Sequence, residues 1–291
     1  MCDNDSFDDM LEYQLRTGVS RRQFGALSFG LGLTSVLSVV DAAVETVGAE
    51  VEIKTADGTA DAYFVHPSKG KHAGVLIWPD IFGLRPAFKQ MATRLAESGY
   101  SVLVVNQFYR IKKAPTSEEH ADFSDPETRK VLSGMSATLN PDTAMVDAKA
   151  FIAFLDHQPS VDKKRKIGTA GYCMGGPLIM RTAAFVPERV GAAASFHGGG
   201  LVTDKPESPH LLIPKMKAQL LIAIAENDDQ KQPEAKNVLR ESFTNANIPA
   251  EIEVYAGTLH GWCPLDAKVY NAEQAEKAWG RMLALFARAL A

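Results

Sequence analysis

The feature that most constrains the fold is a glycine-rich segment with a cysteine at its centre, Gly171-Tyr172-Cys173-Met174-Gly175-Gly176. A β-compatible stretch, 166–170, precedes it, and an apolar, helix-compatible stretch, 178–185, follows it. A Gly-x-Cys-x-Gly-Gly segment in this setting is typical of a nucleophile elbow with cysteine in the reactive position. Such a sharp turn needs glycines because it brings backbones close together and strains the central residue. The alternative is a glycine-rich turn around a buried, inert cysteine.

Composition excludes several classes of protein. Of the 291 residues, 46% are hydrophobic and 23% are charged, which is ordinary for a globular chain with a sizeable core. The formal net charge of −4 provides no basic surface, so nucleic acid is not an expected partner. The cysteines are too few for a disulfide framework and have no zinc-site spacing. We therefore expect no metal and no cofactor.

The first fifty residues carry the pattern of an export signal. Arg21-Arg22 precedes an uncharged, moderately apolar run, 25–40, which predicts a twin-arginine signal. The run is short for a membrane-spanning helix. We expect residues 1–49 to be signal and leader, recognised by the twin-arginine export machinery and cleaved after Ala43 or Ala49. The alternatives are a chance arginine pair before a buried helix, or an anchor that is never cleaved. With cleavage, the protein would be periplasmic or exported and would keep no stable membrane span.

From residue 51 onward, hydrophobic periodicity predicts strands that alternate with helices. The predicted strands are 51–55, 61–65, 74–78, 101–105, 166–170, 190–195, 219–224 and 251–255. The predicted helices are 86–98, 141–157, 178–185, 233–246 and 273–289. The segment 111–140 is polar and is expected to be an irregular loop with a short helix lying over the sheet edge. Such alternation is typical of an α/β fold with a mostly parallel, doubly wound sheet and helices on both faces. We expect one domain, 50–291.

Two later strand ends supply candidate partners for the cysteine. The predicted strand 219–224 runs into the acidic segment Glu226-Asn227-Asp228-Asp229, and the strand 251–255 is followed by His260. The carboxyl ends of parallel strands meet at one edge of a sheet, so these residues should lie near Cys173. The order nucleophile, acid, histidine is that of α/β-hydrolases.

These residues resemble the dienelactone hydrolase family. The resemblance covers roughly residues 51–291 and depends on the segment 171–176, the acidic residues after strand 219–224, His260 and the segment 79–83. It implies an α/β-hydrolase fold and a Cys173-His260-Asp228 triad. Asp228 occupies the position of the family's acid, although the adjacent Asp229 is an alternative.

The resemblance also implies helpers for the thiol. Asp80 stands where the family has an acidic residue, usually glutamate, that hydrogen-bonds the resting thiol; here that side chain is one methylene shorter. The backbone N–H groups of Met174 and Ile81 would form the oxyanion hole.

Substrate contacts are less complete. Arg110 matches one of the two arginines that hold a substrate carboxylate in family members acting on dienelactone, whereas Pro264 stands at the position of the second. Arg110 could instead form a surface ion pair. Trp262 is expected to line the pocket, or else to belong to the core.

Two further features have alternative interpretations. The segment His197-Gly198-Gly199-Gly200 resembles an esterase oxyanion motif, but it follows the elbow instead of preceding it, so it is interpreted as a turn at a strand end. Cys263 could pair with Cys173 or be a small buried thiol.

The sequence thus predicts a hydrolase that cleaves a small ester or lactone through an acyl-enzyme on Cys173, as dienelactone hydrolases do. The alternatives are an exported, non-catalytic binding protein on the same fold and an acyltransferase with the same triad.

Overall fold

A computed structural model describes residues 44–119 and 121–291, which form a central sheet covered by helices on both faces. The predicted signal falls mostly on residues 1–43, which lie outside the described residues. In chain order the strands are β1 (Thr46–Thr55), β2 (Gly58–Pro67), β3 (Ala73–Trp78), β4 (Tyr100–Val105), β5 (Ile167–Tyr172), β6 (Val190–Phe196), β7 (Gln219–Ala225) and β8 (Ala250–Tyr255). The α-helices are α1 (Pro86–Glu97), α2 (Pro126–Ser136), α3 (Pro141–His157), α4 (Gly175–Phe185), α5 (Glu226–Lys231), α6 (Ala235–Asn245) and α7 (Ala272–Ala289), and a 3₁₀ helix spans Pro209–Lys215.

The eight strands are ordered β1-β2-β4-β3-β5-β6-β7-β8. A hairpin turn at Asp57-Gly58 joins β1 to the antiparallel β2, and β2 is also antiparallel to β4. The neighbours from β4 through β3 to β8 are parallel. This arrangement confirms the predicted α/β-hydrolase fold. It also brings the carboxyl ends of β3, β5, β6, β7 and β8 to one edge of the sheet.

Two apolar layers cover the sheet. Helices α1 and α7 pack on one face through residues such as Phe88, Leu95 and Phe286. Helices α3, α4 and α6 pack on the other face through residues such as Phe151, Ile179 and Phe243. The central strands β3 and β5 are buried along their whole length, as expected for parallel strands covered on both sides.

The short helix expected within 111–140 is α2, which runs for about three turns. Its start is specified locally, because the Asp125 side chain accepts a hydrogen bond from the Thr128 amide and Pro126 occupies the first turn. Leu132 and Met135 of α2 pack against Ile81 and Phe108 in a third apolar cluster. That packing attaches the helix to the loop after β3.

The first strand begins earlier than predicted. Strand β1 begins at Thr46, four residues before the predicted domain start, and Ala49 lies within it, opposite Phe64.

Among the described residues, no helix combines the length and the apolar character needed to cross a bilayer.

Candidate active site

Cys173 occupies the sharp turn between β5 and α4, at the carboxyl edge of the sheet. Its φ is +54°, a left-handed conformation that costs free energy for a residue with a side chain. Its amide donates to the Phe196 carbonyl of β6 at 3.0 Å, and its own carbonyl accepts from the Gly176 amide at 3.0 Å. The cysteine is therefore held in a strained backbone at the start of a helix.

The flanking glycines are sterically necessary. A Cβ on Gly171 would lie 2.2 Å from the Gly175 carbonyl oxygen. A Cβ on Gly175 would lie 2.4 Å from the Trp78 carbonyl oxygen of β3. Both contacts involve backbone atoms that cannot rotate away, so the turn closes only where both positions lack a side chain.

Asp228 and His260 lie next to each other in the structure. His260 Nδ1 is 2.7 Å from Asp228 Oδ2, and an ionised carboxylate only accepts, so Nδ1 donates. The amide of His260 also donates to Asn227 Oδ1 at 2.8 Å. Helix α5 thus orients both the ring and the backbone of His260.

The neighbouring carboxylate, Asp229, points to a different partner. Its two oxygens accept from Lys236 Nζ of α6 at 2.6 and 2.7 Å. Of the two acids left open by the sequence, Asp228 is the one that contacts His260.

His197 lies in the middle of the site, although the sequence interpretation assigned it only to a turn. Its ring centroid is 5.1 Å from that of His260, edge to face, and its Nδ1 is 3.1 Å from the Cys173 amide nitrogen. Burial and the neighbouring His260 hold the pKa of His197 well below its usual value. Its position directly after β6, the neighbour of the elbow strand, is the sequence feature that could have identified it.

Asp80, the second residue after β3, is buried and closely paired with Arg85. The two guanidinium nitrogens Nη1 and Nη2 lie 2.6 and 2.9 Å from its carboxylate, which also accepts from the Phe82 amide. Arg85 in turn contacts Asp266, in the segment after His260. The sequence analysis did not single out Arg85. The feature that could have identified it is its isolated charge just before α1.

The two residues expected to supply oxyanion donors lie close together. The side chains of Ile81 and Met174 pack in the same apolar cluster, together with Phe108. The loop that carries Ile81 is held by Gln107, whose buried amide donates to the Asp80 carbonyl at 2.8 Å. Sequence reasoning also missed Gln107, which follows β4.

Arg110 is engaged in an internal ion-pair network. Its guanidinium donates to both oxygens of the fully buried Asp147 at 2.8 and 2.7 Å, and to Asp57 at 2.9 and 2.6 Å. Tyr109 also donates to Asp147. Because its donors are directed at protein carboxylates, these contacts favour a structural role for Arg110 over contact with a substrate.

Trp262 and Cys263 are both buried. The Trp262 ring stacks on Tyr255 and meets His197 edge to face at 5.2 Å, so it packs behind the site as a core residue does. Cys173 and Cys263 are both thiols and are not joined to each other. Burial raises the pKa of the Cys263 thiol well above its usual value, which disfavours the reactive thiolate form.

The described residues contain no cluster of three or more histidine, cysteine, aspartate or glutamate side chains arranged to hold a metal ion.

Solved structures share this architecture. A dienelactone hydrolase-like promiscuous phosphotriesterase from metagenomic libraries is 20% identical, with a TM-score of 0.69, and the match covers 84% of this chain and 99% of that one. A dienelactone hydrolase from Anabaena variabilis is 15% identical, with a TM-score of 0.61 and the same coverage. At these identities the similarity establishes the fold.

Sequence comparisons identify the family. A carboxymethylenebutenolidase of Rhodococcus opacus is 25% identical over 238 residues, which cover 80% of this chain and 88% of that protein. A protein of Methylorubrum extorquens is 27% identical over 293 residues, covering 95% of this chain and 96% of its own length. The family model described as the dienelactone hydrolase family matches residues 60–290. The protein is accordingly a hydrolase acting on carboxylic ester bonds, and the chain belongs to the dienelactone hydrolase family.

Proposed function

We propose that the protein hydrolyses a small ester or lactone through a covalent acyl-enzyme on Cys173, with His260 as the proton carrier and Asp228 as its orienting acid. The observation that carries the proposal is the 2.7 Å contact between His260 Nδ1 and Asp228 Oδ2, at the same sheet edge as the strained Cys173 turn. Membership of an ester-hydrolysing family supports the reaction class.

The proposed reaction has two halves. In the first, His260 takes the Cys173 thiol proton as the sulfur bonds to the substrate carbonyl carbon. The carbon–oxygen bond to the leaving alcohol then breaks as His260 delivers that proton to the alcohol oxygen. In the second, His260 takes a proton from water, the resulting hydroxide attacks the thioester, and the acid leaves as the thiol is restored. Asp228 holds the proton on Nδ1, so that Nε2 exchanges protons throughout.

Two amides are proposed to stabilise the oxyanion, those of Met174 and Ile81. The common cluster of their side chains supports this pairing, because it brings the β5–α4 turn and the β3–α1 loop together. Helix α4 begins at Gly175, and its positive N-terminal end favours a thiolate on the preceding turn.

The role of Asp80 is proposed in a modified form. The family resemblance suggests that this carboxylate modulates the thiol directly. Its bonds to Arg85 and to the Phe82 amide instead favour fixing the loop that carries Ile81, so that its effect on the thiol would pass through the oxyanion hole.

The test compares hydrolysis of a panel of small lactones and activated esters by the parent protein and by two matched thiol variants. Cys173→Ala should lose turnover and should not react with iodoacetamide at the active site. Cys263→Ala removes the other buried thiol of the described chain and should keep the parent rate and its sensitivity to alkylation. Parent-like hydrolysis by Cys173→Ala would overturn the proposal.

We further propose that residues 1–49 contain a twin-arginine signal and direct the protein to the periplasm. Cleavage after Ala43 would leave β1 intact, whereas cleavage after Ala49 would remove residues paired with β2, so the strand pairing favours Ala43. Replacing Arg21 and Arg22 by lysine should retain the protein in the cytoplasm of a twin-arginine-competent bacterium. Unchanged export, or an exported protein whose N-terminus begins at Val51 or later, would contradict this assignment.

A further inference from the structure

His197 has a backbone conformation that requires an explanation. Its φ is +41°, and it is one of three described non-glycine residues with positive φ, Cys173 being another. The residue is 1% exposed. Two strained residues thus lie side by side at the ends of the neighbouring strands β5 and β6, and such strain is concentrated at functional sites because it costs stability.

The strain allows the His197 side chain to accept a backbone hydrogen bond. The Cys173 amide, which also donates to the Phe196 carbonyl, lies 3.1 Å from His197 Nδ1. A backbone amide can only donate, so Nδ1 is the unprotonated nitrogen and the ring proton is on Nε2. The ring is neutral in this role, and its low pKa, caused by burial and by His260, is consistent with that state.

The other ring nitrogen of His197, Nε2, adds a second free-energy cost beside the backbone strain. Within the described chain, His197 Nε2 is buried and has no hydrogen-bond partner. An apolar residue at this position would avoid the unsatisfied group, and glycine would avoid the strain. Histidine at this position carries both the backbone strain and the unsatisfied nitrogen, so its side chain must make an interaction that glycine or an apolar residue cannot make.

The ring of His197 contacts both halves of the proposed site. One edge accepts from the Cys173 amide, and the ring meets His260 at a centroid distance of 5.1 Å and an interplanar angle of 69°. Trp262 supports it from another side, with ring centroids 5.2 Å apart. These contacts connect the nucleophile's backbone to the histidine that serves it.

We propose that His197 is a positioning residue, which fixes the strained Cys173 backbone through Nδ1 and holds the His260 ring against it, so that sulfur and imidazole keep one relative orientation. The inference rests on the proposed function, since it assigns His197 a task in the chemistry of that site. Misplacement of about 1 Å between reacting groups slows catalysis by up to roughly a hundredfold. The effect should therefore appear in kcat and leave KM nearly unchanged.

Three variants separate the two contacts. His197→Asn keeps an acceptor, since Asn Oδ1 takes the place of Nδ1, and asparagine tolerates positive φ. His197→Phe keeps a ring against His260 but has no acceptor. His197→Gly relieves the strain and removes both contacts. The exposed His157 on α3, changed to asparagine, is the control for loss of a histidine.

For each variant and for the control we would measure the turnover of an activated ester and the rate of Cys173 alkylation by iodoacetamide. We expect kcat to fall roughly tenfold in His197→Phe and more in His197→Gly, with KM within about twofold and His197→Asn within about threefold of the parent. Parent-like kcat in His197→Gly would overturn the inference. An equal loss in all three, with no recovery in His197→Asn, would also overturn it, because that is the result of a merely structural role.

A measurement on the unmodified protein keeps the inference testable if the variants fail to fold. Imidazole ¹⁵N spectra should show His197 neutral, with its proton on Nε2; a proton on Nδ1 would refute the acceptor role. Cys173→Ala separates the two hypotheses. If that variant retained full turnover, the proposed function would fail whatever the spectrum of His197 showed. If only Cys173→Ala were inactive and the His197 variants matched the parent, the positioning role alone would fail.

Discussion

Asp228 and Asp229 are adjacent in the chain, yet their carboxylates face different partners. Asp228 accepts from His260 Nδ1 at 2.7 Å, whereas Asp229 accepts from Lys236 Nζ on α6 at 2.6 Å. Successive residues on a helix point about 100° apart, so the short helix α5 directs one acid to the site and the other to the surface of α6.

Replacing each acid by its amide should therefore have unequal effects. Asp228→Asn is expected to lower kcat by about 10³- to 10⁴-fold, because the amide no longer favours the proton on His260 Nδ1. Asp229→Asn should stay within a few-fold of the parent. Steady-state hydrolysis of an activated ester measures both, and an equal loss in the two variants would contradict the assignment of Asp228.

The close packing around the elbow glycines predicts that a side chain added there lowers the stability of the fold. In Gly175→Ala the new Cβ would meet the Trp78 carbonyl oxygen at 2.4 Å, and we expect unfolding free energy to fall by about 1–3 kcal/mol. Gly280→Ala, in the interior of α7, is the matched control, because its new Cβ would meet nothing within 4 Å beyond its chain neighbours and the nearby helix backbone; it should gain about 0.5–1 kcal/mol. Urea unfolding measures both. A stability of Gly175→Ala equal to the parent would mean that the turn is looser than described.

Arg110 should matter for folding more than for substrate binding. Arg110→Met would leave the Asp147 carboxylate buried without its ion pair, which typically costs about 3–5 kcal/mol. The double variant Arg110→Met/Asp147→Leu should recover part of that loss, since it removes the stranded charge as well. Thermal and urea unfolding would measure the losses. A raised KM in Arg110→Met with unchanged stability would instead indicate contact with the substrate.

The lowered pKa of Asp122 predicts a contribution to folding stability that is lost in acid. Burial alone would raise its pKa, but hydrogen bonds from Lys268 and Ser124 lower it to about 2. Because the folded pKa is below the unfolded value of about 3.9, the contribution is complete above pH 4 and disappears as the pH falls toward 2. The side chain is 31% exposed, so solvent limits the effect to below about 1 kcal/mol.

Urea unfolding of the parent and of Asp122→Asn should therefore show a difference at pH 6 that shrinks toward pH 2.5. A pH-independent difference would show that the Lys268 contact does not depend on the Asp122 charge.

Much of the fold could be predicted because its signals are local. Helix α3 begins at Pro141 and ends at His157, as its apolar spacing, Asn140 cap and Pro141 indicate. The Asp57-Gly58 hairpin is equally local. The bounds of helix α2 within 111–140 were harder to foresee, because only Leu132 and Met135 give it an apolar face, and that face is covered by the distant Ile81 and Phe108.

The candidate site also combines features that local sequence sets with contacts that only the tertiary structure sets. The amino-acid sequence alone determined the elbow, because the glycine requirement at Gly171 and Gly175 arises from the turn itself, and it determined the order of cysteine, acid and histidine along the chain. Only the tertiary structure decided which contacts form. It paired Asp228 with His260, engaged Arg110 with Asp147, and placed His197 between Cys173 and His260. The physical reason is that these contacts join side chains from different strands, and their partners are set by strand order and loop orientation, which local sequence does not encode.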